Sequence, residues 1–196
     1  MTTVVHLCGP INAGKSTLGA ALAARLADAV FIDGDDHDAP DDAPLAVRIA
    51  AALARIEAQI ATTRACHLVV AYPLDAAEHR RLRAVAAARG ARFLTVALAP
   101  PLAVALTDRG ARRLSERERR RILEMYADGH AAPAFADLVV DTAAMPPETC
   151  VERILGALGL DSGRDASHAR GLCSDAETRY EAGKSLGEDP WTSSRR

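Results

Sequence analysis

Near the start of the chain stands Gly9-Pro10-Ile11-Asn12-Ala13-Gly14-Lys15-Ser16-Thr17, which reads G-x-x-x-x-G-K-S. Its flanks constrain the fold as much as its letters do. Thr3-Val4-Val5-His6-Leu7-Cys8 before it is short, apolar and rich in β-branched residues, as a buried strand should be. Leu18 to Leu26 after it has apolar residues at helical spacing. Strand, loop and helix in that order make a phosphate-binding loop.

The chemistry follows from the arrangement. Gly9 and Gly14 let the backbone turn where a Cβ would obstruct it. Successive backbone N–H groups then point inward as an anion nest, and the following helix N-terminus favours phosphate. Gly9, Asn12, Ala13, Gly14, Lys15, Ser16 and Thr17 are therefore the candidate nucleotide-binding set. Lys15 supplies a point charge for the β- and γ-phosphates, and the Ser16 hydroxyl is a candidate Mg²⁺ ligand. ATP and Mg²⁺ are the expected cofactors.

Further strands are expected over Ala29–Asp33, His67–Tyr72, Arg92–Leu98 and Leu138–Val140. Between them run helical patterns over Leu45–Thr63, Asp75–Arg89, Leu102–Asp108, Leu114–Ala127 and Pro147–Leu158. Asp75 reads as an N-cap, and Ser115 with Glu118 as a capping box. Alternating strands and helices indicate a parallel α/β sheet buried on both faces. Ligands then belong beyond the carboxyl ends of the strands. From Asp161 to Arg196 the chain turns polar and loses amphipathic period. Residues 1–160 are read as one domain and 161–196 as a flexible tail that Trp191 could anchor.

The second informative segment is Phe31-Ile32-Asp33-Gly34-Asp35-Asp36-His37-Asp38, at the end of the second strand. Carboxylates there face the phosphates across the crevice. One must help hold Mg²⁺ and another must orient an acceptor hydroxyl and take its proton. Asp33 and Asp35 divide those roles, whereas Asp36, Asp38, Asp41 and Asp42 read as solvated loop carboxylates.

With these residues in place, a resemblance to the small P-loop kinases of metabolites is visible: shikimate, gluconate and adenylylsulfate kinases and the chloramphenicol phosphotransferases. Phe31-x-Asp33-x-Asp35 is similar to the F-x-D-x-D of shikimate kinases, and Asp33-Gly34-Asp35 to the D-G-D of gluconate and adenylylsulfate kinases. The resemblance implies a three-layer P-loop NTPase fold, a five-stranded parallel sheet in the order 2-3-1-4-5 and a lid. It implies Asp33 as the metal ligand beside Ser16, and Asp35 on the acceptor hydroxyl. Leu138-Val139-Val140-Asp141-Thr142 resembles the V-D-T segment that borders adenine in this group. The chain departs from it at Asn12, where the phosphate loop normally has glycine. It departs again at Ala71-Tyr72-Pro73-Leu74, where shikimate kinases carry a glycine-rich turn.

Thr107 to Ile122 is rich in arginine and follows the fourth strand, where this fold carries its lid. Guanidinium forks pair phosphate oxygens and stay charged. Arg109, Arg112 and Arg113 precede the helix and are the candidates for closing over the transferred phosphoryl, with Lys15 and Asp35 completing the catalytic set. Arg117, Arg119, Arg120 and Arg121 mix with glutamates along a helix and read as solvated or ion-paired. The acceptor pocket is expected to be bounded by Asp35, Arg48, Tyr72 and Pro73, with Tyr72 reading equally well as a strand-end core aromatic.

The bulk figures narrow the partners. The 196 residues are 49% hydrophobic and 26% charged with a formal net charge of -2, which gives no bias toward nucleic acid or an anionic membrane. No transmembrane-length apolar run or signal peptide is present, so a cytoplasmic location is expected. Cys8, Cys66, Cys150 and Cys173 have no metal spacing and read as free thiols. The expected partners are ATP and a small hydroxylated metabolite, with the protein a monomer or homodimer. The reading is an ATP-dependent small-molecule kinase; a nucleoside or nucleotide kinase and a non-catalytic ATP-binding module stay open.

Overall fold

The computed structural model describes residues 1–40, 42–109 and 112–160. The readings made for Asp41, Cys173, Trp191 and the 161–196 tail fall outside them. Among the described residues five strands, β1 (Thr3–Cys8), β2 (Ala29–Asp33), β3 (His67–Ala71), β4 (Arg92–Leu98) and β5 (Leu138–Val140), alternate with six helices. These are α1 (Lys15–Arg25), α2 (Leu45–Thr62), α3 (Ala76–Ala88), α4 (Leu102–Ala105), α5 (Glu116–Ala127) and α6 (Pro147–Leu158). The sheet is wholly parallel in the order β2-β3-β1-β4-β5, as expected.

Alternation along β1 divides the core into two layers. Val5 and Leu7 point toward α1 and α6, where they meet Leu18, Leu22, Val96, Ile154 and Leu155. Val4 points the other way, toward Ile56 and Ile60 of α2 and Leu82 of α3. With both faces covered, each central strand reads as a continuous apolar run. A third, smaller cluster joins Ala105, Leu114 and Ile122 to Ile11 of the phosphate loop, so α4 and α5 pack on the loop itself.

The helix starts follow their caps. Asp75 accepts from the N–H groups of Ala77 and Glu78 while Glu78 reaches back, and Ser115 and Glu118 make the same reciprocal box on α5. Such a cap contributes about 1 kcal/mol. Two expectations shift. The helix after β4 stops at Ala105 instead of Asp108, because Asp108 is drawn out to accept from the Leu114 N–H and to pair with Arg119. Tyr72 lies just past β3.

One feature is unlike the apolar strand that the composition suggested. His6 is fully buried in β1 with both ring nitrogens unpartnered, its ring stacked at 6.1 Å on Phe93. Burial, with His79 and Lys15 nearby, pushes its pKa down to about 3, so it serves as a neutral core ring. His79 bonds Thr95 Oγ1 at 3.1 Å and stacks on Phe135 at 4.2 Å. Among the described residues no helix is long and apolar enough to cross a membrane.

Candidate active site

The phosphate loop turns out of β1 at Gly9 (φ 137°), passes Asn12 (φ 65°) and Gly14 (φ 92°), and enters α1 at Lys15. All three φ values are positive, a region that glycine reaches at least cost. The Lys15 Nζ donates to the carbonyls of Gly9 at 3.1 Å and Pro10 at 2.8 Å. Burial pushes its pKa down to about 8, against the pull of the Asp35 and Asp33 carboxylates. Ser16 and Thr17 are exposed on the first turn of α1.

A cleft of about 660 Å³ opens over this loop, within the range of small-molecule sites. Asn12, Ala13, Gly14, Lys15, Ser16 and Thr17 form its floor, Asp35 one wall, and Arg109 and Arg112 another. Its far end is lined by Ala143, Ala144, Met145, Pro146, Pro147 and Cys150. That end is formed mainly by small and apolar side chains. Thr142 fixes it to the loop: its buried Oγ1 donates to the Ala13 carbonyl at 2.9 Å. The segment after β5 was legible only through the V-D-T resemblance, and the Thr142 bond was missed.

Not every expected residue lines the cleft. Asp33 closes β2; its Oδ1 accepts from the Asp35 N–H at 3.2 Å and its carbonyl accepts from Arg55 at 2.7 Å. It thereby holds the turn that aims Asp35 into the cleft. Tyr72 is buried in the α2/α3 layer with its ring against Gly34, where a Cβ would stand 2.2 Å from the ring. That contact accounts for the glycine between the two aspartates. Burial, Glu78 and Asp35 push the Tyr72 phenol up to about 12. Arg48 Nε donates to His37 Nε2 at 3.4 Å. Neither Tyr72 nor Arg48 lines the cleft.

The arginines separate in the same way. Arg109 reaches the loop, its Nη1 donating to the Asn12 carbonyl at 3.3 Å. Arg112 lines the cleft while paired with Glu118 at 2.8 Å, an exposed pair contributing less than about 1 kcal/mol. Arg113 is largely exposed beside Asp108 at 3.8 Å and does not line the cleft. Arg119, read as solvated or ion-paired, pairs with Asp108 and also donates to the Leu106 carbonyl.

No cluster of three or more His, Cys, Asp or Glu side chains suited to a metal occurs among the described residues. Mg²⁺ on a nucleotide needs only one or two protein oxygens, the phosphates and water supplying the rest. Ser16 and Asp35, which line the cleft, offer hard oxygens of that kind, and Asp33 stands next to Asp35 at the end of β2.

A nucleotide loop at the centre of a 2-3-1-4-5 sheet, a carboxylate opposite it and arginines above it define a P-loop kinase of small molecules. No protein-family model matches the chain. The adenylyl-sulfate kinase of Paraburkholderia xenovorans is 33% identical over 171 residues, covering 79% of this chain and 92% of that protein. The protein belongs to the adenylyl-sulfate kinase family. Solved structures agree in fold: a Sinorhizobium meliloti gluconokinase (TM-score 0.62, 22% identity, 89% of this chain, 97% of that one) and the Mycobacterium tuberculosis APS kinase (TM-score 0.57, 21% identity, 81% and 98%).

Proposed function

We propose that the protein transfers the γ-phosphoryl group of ATP to a hydroxyl of a small metabolite, and that adenylyl sulfate is the acceptor. The observation that carries the transfer is the convergence of Lys15, Ser16, Asp35, Arg109 and Arg112 on one cleft. The 33% identity to an adenylyl-sulfate kinase supports the acceptor. Loop amides and Lys15 bind the phosphates. Ser16 and Asp33 would hold Mg²⁺, which would supply charge neutralisation on the phosphates. Asp35 orients the acceptor hydroxyl and takes its proton as the oxygen bonds phosphorus and ADP leaves. Arg109 and Arg112 stabilise charge on the equatorial oxygens, Arg112 giving up its weak pair with Glu118.

The test is acceptor-dependent ADP formation with adenylyl sulfate, gluconate and shikimate, the product identified by mass spectrometry. Phosphorylated adenylyl sulfate formed in step with ADP is expected. Turnover with another acceptor alone overturns the acceptor. Tight binding of an ATP analogue, with no turnover on any hydroxylated compound, makes the protein a nucleotide-binding module.

Lys15 gives the site a pH signature. The free lysine holds its proton below a pKa of about 8 and loses it above. Phosphate stabilises the charged form, so above that point binding must take up a proton. Affinity for a non-hydrolysable ATP analogue should be level near neutral pH and fall roughly tenfold per pH unit above about 8, with uptake of about one proton. Calorimetry in buffers of differing ionisation enthalpy measures both. A level profile to about pH 10 would assign the phosphate charge to another group.

A further inference from the structure

Asn12 sits in the left-handed region at φ 65°, which asparagine tolerates and glycine occupies at less cost. The backbone therefore does not explain an asparagine here. Its side chain does. The Asn12 Nδ2 donates to the Ala105 carbonyl at 2.9 Å and to the Thr107 carbonyl at 2.9 Å. These carbonyls lie where α4 ends and would otherwise lack helical partners. Between them the Leu106 carbonyl accepts from Arg119. In return Arg109 donates to the Asn12 carbonyl at 3.3 Å. Ile11 beside it packs into the Ala105, Leu114 and Ile122 cluster. Both amide protons of Asn12 are thus engaged away from the cleft floor.

We propose that Asn12 is a positioning residue that latches the phosphate loop to the root of the arginine segment, so that the loop holding the nucleotide also holds Arg109 over it. The latch rests on the reading of the cleft as a nucleotide site. It makes residues 105–109 part of the loop's framework, with Arg109 the group through which Asn12 acts.

Two substitutions in the full chain isolate the amide. Asn12→Gly keeps the φ and removes the side chain. Asn12→Asp keeps its shape but cannot donate to carbonyls. Amide hydrogen exchange over residues 105–109 should rise about tenfold in both, with exchange in β1 and β4 unchanged. Affinity for a non-hydrolysable ATP analogue should fall about fivefold, as for one lost hydrogen bond. In an Arg109→Lys background, Asn12→Gly should add less than about twofold, because the two act as one unit.

Unchanged exchange over 105–109 overturns the latch, as do binding losses from Asn12→Gly and Arg109→Lys that simply multiply. A rise in exchange spread equally through β1 and β4 also overturns it, since Asn12 would then be only a stability residue. If the unaltered protein fails to bind the analogue, the nucleotide reading falls, and local exchange still decides the latch.

Discussion

Asp35→Asn should lower acceptor-dependent phosphoryl transfer by roughly 10²- to 10⁴-fold, the range lost with a general base. Affinity for an ATP analogue at neutral pH should stay within about threefold, since the phosphates are held by loop amides and Lys15. The substitution is close to isosteric. The turn that presents residue 35 depends on its backbone N–H, which Asp33 Oδ1 accepts at 3.2 Å, and not on its carboxylate. Asparagine keeps that turn and loses only the capacity to take a proton. One secondary effect follows from charge. Asp35 is the first of the groups that hold the Lys15 pKa up against burial. Without it Lys15 loses its proton at lower pH, so the alkaline fall in analogue affinity should begin below that of the unaltered protein. Steady-state kinetics beside calorimetry across pH reads both effects. Transfer within about threefold of the unaltered enzyme would remove Asp35 from the base role.

Much of this site was legible because its parts are local. The phosphate loop, its strand and its helix are contiguous, and β2 delivers Asp33-Gly34-Asp35 in one run. The strands stood out as apolar runs because both sheet faces are covered. What the sequence left open or hid depended on side-chain direction or distant partners. Tyr72 does lie at a strand end, but its ring turns into the α2/α3 layer and covers Gly34 instead of facing the cleft. Arg113 stands in the same short stretch as Arg109, yet the chain carries it outward to Asp108. The carbonyls that accept from Asn12 and Thr142 lie more than ninety residues away in sequence. Asn12 could be seen only as a departure, because the α4 carbonyls that explain it exist only once the chain is folded. His6 was hidden for the opposite reason: buried and uncharged, it behaves like the apolar residues around it.

Gly9→Ala should be the most damaging change in the loop. A Cβ at this position would stand 2.5 Å from the Leu98 carbonyl oxygen and 3.4 Å from Leu98 Cβ, while φ stays at 137°. The obstructing atom is backbone, so no rotamer relieves it. Nor can β4 retreat. Leu98 is fully buried, β4 is paired to β1 as far as Cys8↔Ala97, and its other edge is paired to β5 at Leu98↔Val140. Either the sheet opens at its carboxyl end or the loop moves off its nest. Backbone strain and overpacking together give a loss of about 2–5 kcal/mol. For a domain of this size that is a fall in melting temperature of roughly 5–15 °C. Gly14→Ala is the comparison. Its φ of 92° is also unfavourable, but an added Cβ there meets nothing within 4 Å. It should lose only the strain, about 1–3 kcal/mol. Thermal melts of the two variants, with analogue binding measured below both transitions, separate crowding from conformation. If Gly9→Ala melts no lower than Gly14→Ala, the close approach of β4 is not what demands glycine at the start of the loop. Binding lost in Gly9→Ala well below its melting temperature would show that the contact with Leu98 sets the shape of the phosphate nest as well as the stability of the sheet beneath it.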